Sequence, residues 1–228
     1  YIASLHETHY EYAKYMLNNK KHVLCEKPAV LKKAQAEELY SLAKENNVVF
    51  MEAVKTAYCP GFHAMMAAAK SGKIGRIIDV EAAFSRLTPV NTREYMAQDY
   101  NGSFLEFGSY VCMPVFELLG CDYDDVRFHS MRAVNGVDAY TKAVFSFGGK
   151  SAEVKTGLGV KTEGQLLISG TNGYILAKSP WWLTKEFEIR YEDPNKKEVY
   201  KYAYEGSGLQ YIPIPLLVME LVSSLSFF

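Results

Sequence analysis

Short apolar runs alternate with helix-length amphipathic segments along the first quarter of the chain. Tyr1-Ile2-Ala3-Ser4 reads as the tail of a buried strand, Val23 to Cys25 as a second strand within His22 to Cys25, and Val48-Val49-Phe50-Met51 as a third. Between the first two, Glu7 to Asn19 predicts a helix with Tyr12, Tyr15, Met16 and Leu17 as its apolar face, Thr8 or a neighbour as its cap, and Asn18-Asn19 as its stop. Leu31 to Asn46 predicts another, with Ala34, Leu39, Leu42 and Ala43 at helical spacing and Asn46-Asn47 closing it. Strand, helix, strand, helix, strand with short links is the pattern of a parallel sheet covered on both faces, here the back half of a doubly wound fold. The chain opens on Tyr1 rather than methionine, and a sheet beginning there would leave a bare edge, so further sequence upstream is expected.

The pattern then changes. Pro60 to Ser71 predicts a helix with proline in its first turn and Gly72 past its end, and Arg76 to Ser85 alternates as a strand. Thr88 to Asn101 is irregular and polar, a loop placed to cover a site, and Gly102 to Leu119 is apolar with helical period up to Gly120. Beyond Cys121 come seven strands: 126–134, 139–147, 151–157, 163–169, 173–177, 185–191 and 196–204. Gly148-Gly149 and Thr171-Asn172-Gly173 mark hairpin turns. The expected fold class is α/β: the C-terminal part of a Rossmann-type parallel sheet in residues 1–53, then an α+β domain in residues 54–228 with a large, mostly antiparallel open sheet.

Composition narrows the function classes. With 49% hydrophobic and 22% charged residues, the 228-residue chain has ample material for a core. A net charge of -1 implies no polyanion partner and so no nucleic acid. The most apolar segment, Ile212 to Phe228, is interrupted by Pro213, Pro215 and Glu220, so no membrane span is expected. Four dispersed cysteines and no basic-then-apolar leader predict a reduced, cytoplasmic setting. The 17 tyrosines fit a broad sheet whose open face pairs with another copy, as a homodimer or homotetramer.

Two constellations carry candidate chemistry. Glu26 and Lys27 leave the second strand at its carboxyl end, where ligands bind in open α/β sheets, and Pro28 ends the ladder. They are either a site or two solvated charges at a strand exit. Glu106 and Tyr110 stand four apart on the predicted helix and share a face, with Tyr110 either reactive or a packing aromatic. Trp181-Trp182 fits a sugar-facing wall or sheet packing, and Arg93, Asp99 and Tyr100 on the preceding loop are candidate substrate contacts. Cys59 with His63, and His6 with His9, have metal-ligand spacings, but no third ligand lies near either pair and no metal is expected.

Read together, these motifs resemble a known family. Lys20 to Pro28 is similar to G-K-H-V-L-C-E-K-P, carried by the fifth Rossmann strand of the glucose–fructose oxidoreductase, inositol dehydrogenase and rhizopine-catabolism (Gfo/Idh/MocA) family. Ile2 to His9 resembles the exit of that family's fourth strand, and Met51-Glu52-Ala53 and Ser71 to Gly75 follow at matching spacing. Several motifs agreeing in order make the likeness specific. It covers about the first 120 residues closely and the later sheet by pattern.

The resemblance implies an NAD- or NADP-dependent oxidoreductase of a sugar, polyol or related cyclic alcohol. It implies that Ser4, Leu5, His6, His9, Glu26, Lys27 and Pro28 contact the cofactor, with Glu26 on a ribose hydroxyl. Lys27 would stabilise the substrate oxyanion, Tyr110 would exchange the hydroxyl proton, and Glu106 would orient substrate or tune Lys27. His9 faces the cofactor or caps its own helix on this reading. Departures are equally definite: no G-x-G-x-x-G loop occurs in the sequence, Leu5-His6 replaces a Pro-Asn pair, and Ala57 stands where many members have arginine. The alternative is a non-catalytic binding or assembly protein that retains the fold.

Overall fold

The computed structural model describes residues 1–96 and 99–203, so the proline-interrupted apolar segment 212–228 lies outside the described residues. The chain divides into a unit built on Tyr1–Lys55 and a second starting at Thr56.

In the first unit the elements are α1 (His6–Asn18), β1 (Val23–Cys25), α2 (Lys33–Glu45) and β2 (Phe50–Glu52). Strands β1 and β2 are parallel, with Val23 opposite Phe50 and Cys25 opposite Glu52. Ile2 adds a parallel bridge on the other side of β1, its N–H donating to Leu24 O at 2.8 Å and its carbonyl accepting Glu26 N–H at 2.8 Å. Ala13, Leu17, Val23, Cys25, Leu39, Ala43 and Phe50 form the core between the helices and this small sheet.

The buried face of α1 differs from the expected one. Tyr12, Tyr15 and Met16 are 53%, 67% and 42% exposed, while His9, Ala13 and Leu17, at intervals of four, face the core. Both stripes satisfy helical spacing. The sheet takes the one centred on Ala13, whose small side chain lets the helix axis approach. Nor does Thr8 cap the helix: Leu5 is the N-cap residue, and the Thr8 hydroxyl lies within the first turn, 2.8 Å from Leu5 O.

The second unit contains α3 (Pro60–Lys70), β3 (Ile77–Ser85), α4 (Ser103–Leu119), β4 (Asp125–Arg132), β5 (Asp138–Phe147), β6 (Lys150–Gly157), β7 (Leu166–Gly170), β8 (Tyr174–Ala177), β9 (Glu186–Arg190) and β10 (Lys197–Lys201). Among the described residues its sheet has eight strands, in the order β10-β9-β8-β7-β3-β6-β5-β4. Every pair is antiparallel except β3 with β6, so the strand that precedes the run of hairpins forms the spine of the sheet. Strand β7 starts later than expected because Gly164 takes φ +73 and breaks the extended run.

Helix α4 covers one face, with Phe107 stacked on Phe84, Phe116 edge-on to Phe145, and Phe104 edge-on to Phe128. On the other face Glu153 pairs with Lys142 at 2.5 Å and Lys155 at 2.6 Å, and the register sets Val144, Glu81 and Leu167 in the same row. That face is amphipathic rather than a plain apolar surface. Among the described residues no helix is long and apolar enough to cross a membrane.

Candidate functional site

At the exit of β1 the backbone is held from three directions. Lys27-Pro28 is a cis peptide, and Pro28 is buried. His9, fully buried on α1, places Nδ1 2.8 Å from Pro28 O and Nε2 3.2 Å from Ser4 O. Ala29 N–H donates to Glu52 Oε1 at 3.2 Å from the neighbouring strand, and Lys27 N–H donates to Glu26 Oε2 at 3.3 Å. The Tyr1 hydroxyl donates to the other oxygen of Glu26, and burial followed by that carboxylate pushes the Tyr1 phenol up to about 12. Burial, reinforced by Glu52 and Glu26, likewise raises the Cys25 thiol to about 12, which keeps it protonated and unreactive.

This cluster brings Ser4, His9, Glu26 and Pro28 together around Lys27. Glu26 and Lys27 are both half-buried, not the freely solvated charges of the bland alternative. His9 neither caps its helix nor stands open on one side, since each ring nitrogen faces a backbone carbonyl. His6 lies edge-on to it at 5.7 Å. Glu52 is the member that residue-by-residue reading missed. Its motif was visible, but only the parallel pairing of β2 with β1 turns its carboxylate toward Ala29.

In the second unit Glu106 and Tyr110 lie on one face of α4, 7% and 8% exposed. Phe84 on β3 sits beside them, 5.2 Å from the Tyr110 ring and stacked on Phe107 at 4.3 Å. Trp182 stacks on Phe84 at 3.6 Å, nearly parallel, and keeps part of its surface. Trp181 has no exposed surface and donates its indole N–H to Ala83 O at 2.9 Å. The tryptophan pair therefore splits into one packing residue and one that faces outward. Proline 114, inside the helix, has no N–H to give the carbonyl of Tyr110, which loosens α4 one turn beyond the phenol.

The acid has a cationic neighbour that sequence reading overlooked. Arg86 Nη2 is 4.0 Å from Glu106 Oε1 and 3.2 Å from Glu94 Oε1, and its guanidinium lies over Phe107 at 5.8 Å. Arg86 directly follows β3, so the strand-end rule that flagged Lys27 would have found it. Burial alone would raise the Glu94 carboxyl. Hydrogen bonds from its own backbone and from Thr92, with Arg93 and Arg86, carry it below the ordinary range instead. Arg93 sits 3.8 Å from Glu94, whereas Asp99 and Tyr100 are exposed. Cys59 is buried and His63 exposed.

Residues 1–54 match the model described as "Oxidoreductase family, NAD-binding Rossmann fold", and residues 62–176 match the GFO/IDH/MocA C-terminal domain. The chain belongs to the Gfo/Idh/MocA family. It is 32% identical over 203 residues to scyllo-inositol 2-dehydrogenase (NADP(+)) IolU of Bacillus subtilis, a match covering 85% of this chain and 60% of that protein. It is 26% identical over 221 residues to trans-1,2-dihydrobenzene-1,2-diol dehydrogenase of Xenopus laevis, covering 92% of this chain and 66% of the relative. The chain thus spans less than two thirds of the length of these Gfo/Idh/MocA relatives. A solved structure of KijD10, a 3-ketoreductase from Actinomadura kijaniata in complex with NADP and TDP-benzene, shares the fold at a TM-score of 0.79 and 21% identity, over 99% of this chain and 70% of that one.

Proposed function

We propose that the protein transfers a hydride between NAD or NADP and a hydroxyl-bearing carbon of a sugar, polyol or related cyclic alcohol. The observation that carries this reading is the turn at Lys27, whose neighbouring carbonyl and amide are fixed by buried His9 and by Glu52 at the carboxyl end of a parallel strand. Relatives of this family act on scyllo-inositol and on a cyclic dihydrodiol, which supports a ring bearing neighbouring hydroxyls.

The residues present fit the nicotinamide-ribose end of a dinucleotide: a carboxylate at 26 suits ribose hydroxyls, Ser4, Leu5, His6 and Pro28 surround the same strand exits, and buried His9 faces the Ser4 and Pro28 carbonyls. When bound, the nicotinamide supplies the hydride acceptor, and the protein supplies placement and electrostatics. In this reading Lys27 sets an ammonium beside the alcohol oxygen and stabilises the charge that develops there. Tyr110 gives or takes the hydroxyl proton through its phenolic oxygen. Glu106, next to Arg86, orients the substrate hydroxyls. Trp182 offers a flat wall to one face of the ring.

The same reading has two or four copies joined through the sheet face opposite α4, where interleaved charges and aliphatic side chains suit a self-complementary contact, in the cytoplasm. Sedimentation of the full-length protein tests the assembly. For the chemistry, the full-length protein is offered inositols, sugars and cyclic diols with each nicotinamide nucleotide. Reduction of the nucleotide is expected, falling by about 100-fold or more in Lys27→Ala and in Tyr110→Phe, the latter with cofactor binding retained. Near-normal turnover by Lys27→Ala would defeat the assignment. Nucleotide binding with no turnover of any alcohol would favour a non-catalytic member of the family.

A further inference from the structure

Helix α4 begins without a cap of its own. Its N-cap residue, Gly102, has no side chain, and no cap residue's side chain bonds the first turn. The first amides of a helix need partners from outside it. The one at Phe104 finds its acceptor 34 residues later in the chain: Asp138 Oδ2, on β5, at 2.9 Å. The same oxygen accepts the hydroxyl of Ser103 at 2.6 Å and that of Thr141 at 2.9 Å. Ser103 Oγ also lies 2.9 Å from Thr156 Oγ1 on β6. A buried polar chain therefore ties α4 to two strands of the sheet.

The glycine and the aspartate form one device. A Cβ at position 102 would stand 1.9 Å from Asp138 Oδ1, and the backbone there has φ +133, so the cap is provided by a strand residue because the local one has been cleared away. A carboxylate at this end also complements the helix dipole. Ser103, Thr141 and Thr156 are buried beside Ala139, Ala143 and Val154, where polar groups are costly unless every member is satisfied. The first turn anchored in this way ends at Glu106, whose N–H bonds Gly102 O at 3.0 Å, and Tyr110 follows one turn later.

We infer that Asp138 is a positioning residue. It fixes the height and rotation of the first two turns of α4, and through them the Tyr110 hydroxyl and the Glu106 carboxylate. The catalytic part of this inference rests on the function proposed above; the anchoring part does not.

The experiment compares wild type, Asp138→Ala, Asp138→Asn and Ser103→Ala in the full-length protein. Two readouts are taken: hydrogen exchange at the Phe104 amide, and kcat counted per cofactor-binding site so that unfolded molecules do not contribute. Asp138→Ala is expected to speed Phe104 exchange about tenfold or more with β5 and β6 amides unchanged, and to lower kcat by about 10- to 100-fold with the cofactor KM within about twofold. Asp138→Asn, which keeps an oxygen acceptor, recovers part of both, and Ser103→Ala gives a smaller loss of the same kind if Asp138→Ala does not fold. Unchanged Phe104 exchange in the folded variants overturns the anchoring. Faster exchange with kcat within about twofold of wild type overturns the positioning role. A wild type that turns over no alcohol defeats the proposed function instead, and the exchange readout still decides the anchoring.

Discussion

Replacing His9 with phenylalanine isolates what holds the Lys27 turn in place. The substitution keeps an aromatic ring in a fully buried position and deletes the two nitrogens that face Pro28 O at 2.8 Å and Ser4 O at 3.2 Å. Ser4 is only half-buried, so its carbonyl can recruit water, whereas Pro28 is buried and its carbonyl loses its donor. A net hydrogen bond contributes about 0.5–1.5 kcal/mol, and a buried acceptor left unsatisfied costs about 1–3 kcal/mol. The expected loss is therefore about 2 kcal/mol, with glutamine at position 9 recovering part of it through its amide donor. Urea denaturation of the full-length protein measures this as a shifted midpoint at constant slope. Because the same turn carries Lys27, nucleotide affinity should weaken in parallel. A His9→Phe variant within about 0.5 kcal/mol of wild type would refute the reasoning, since it would mean that neither nitrogen donates to a buried carbonyl.

Three further outcomes follow from the packing and the charges. Trp181→Phe should cost about 2–3 kcal/mol, from the orphaned Ala83 carbonyl and the space left by the smaller ring, whereas Trp182→Phe costs under about 1 kcal/mol; urea midpoints compare them. Hydrogen bonds from Lys73, Tyr200 and Tyr191 hold the Glu198 carboxyl down at about 2, below its ordinary 4.5. Its folded value is the depressed one, so its stabilisation is present above pH 4.5 and lost as pH falls toward 2, and the stability gap to Glu198→Gln should close across that window. The pair is partly exposed, so solvent screening keeps the gap small. Thiol labelling at mildly alkaline pH should reach exposed Cys121 first and half-buried Cys112, whose thiol is raised to about 12 by burial, more slowly, while buried Cys25, likewise raised to about 12, and buried Cys59 react only on unfolding.

What could be read from the chain was local. The apolar run before Glu26-Lys27 and the interval of four between Glu106 and Tyr110 place those residues at a strand end and on one helical face, because strand length and helical period are properties of neighbouring residues. Alternation likewise located the strands of the large sheet to within a few residues. Pairing across the chain was not legible. Nothing near β3 says that it will lie parallel to β6 in the middle of the sheet, and nothing near Gly102 says that its cap is Asp138. The choice between two stripes on α1 depended on how closely the sheet could approach Ala13. The division of labour between Trp181 and Trp182 depended on a carbonyl contributed by β3.

The central proposal is that the amine at 27 and the phenol at 110 serve one reaction. A double-mutant cycle on kcat/KM for the full-length protein, with saturating nucleotide and the best cyclic alcohol, tests it most directly. Lys27→Met, Tyr110→Phe and the double variant are compared. If the two groups act on the same alcohol oxygen, the double variant should fall little below the worse single one, as for residues that act as a unit. Losses that simply multiply, or a single variant that retains wild-type kcat/KM, would contradict the claim.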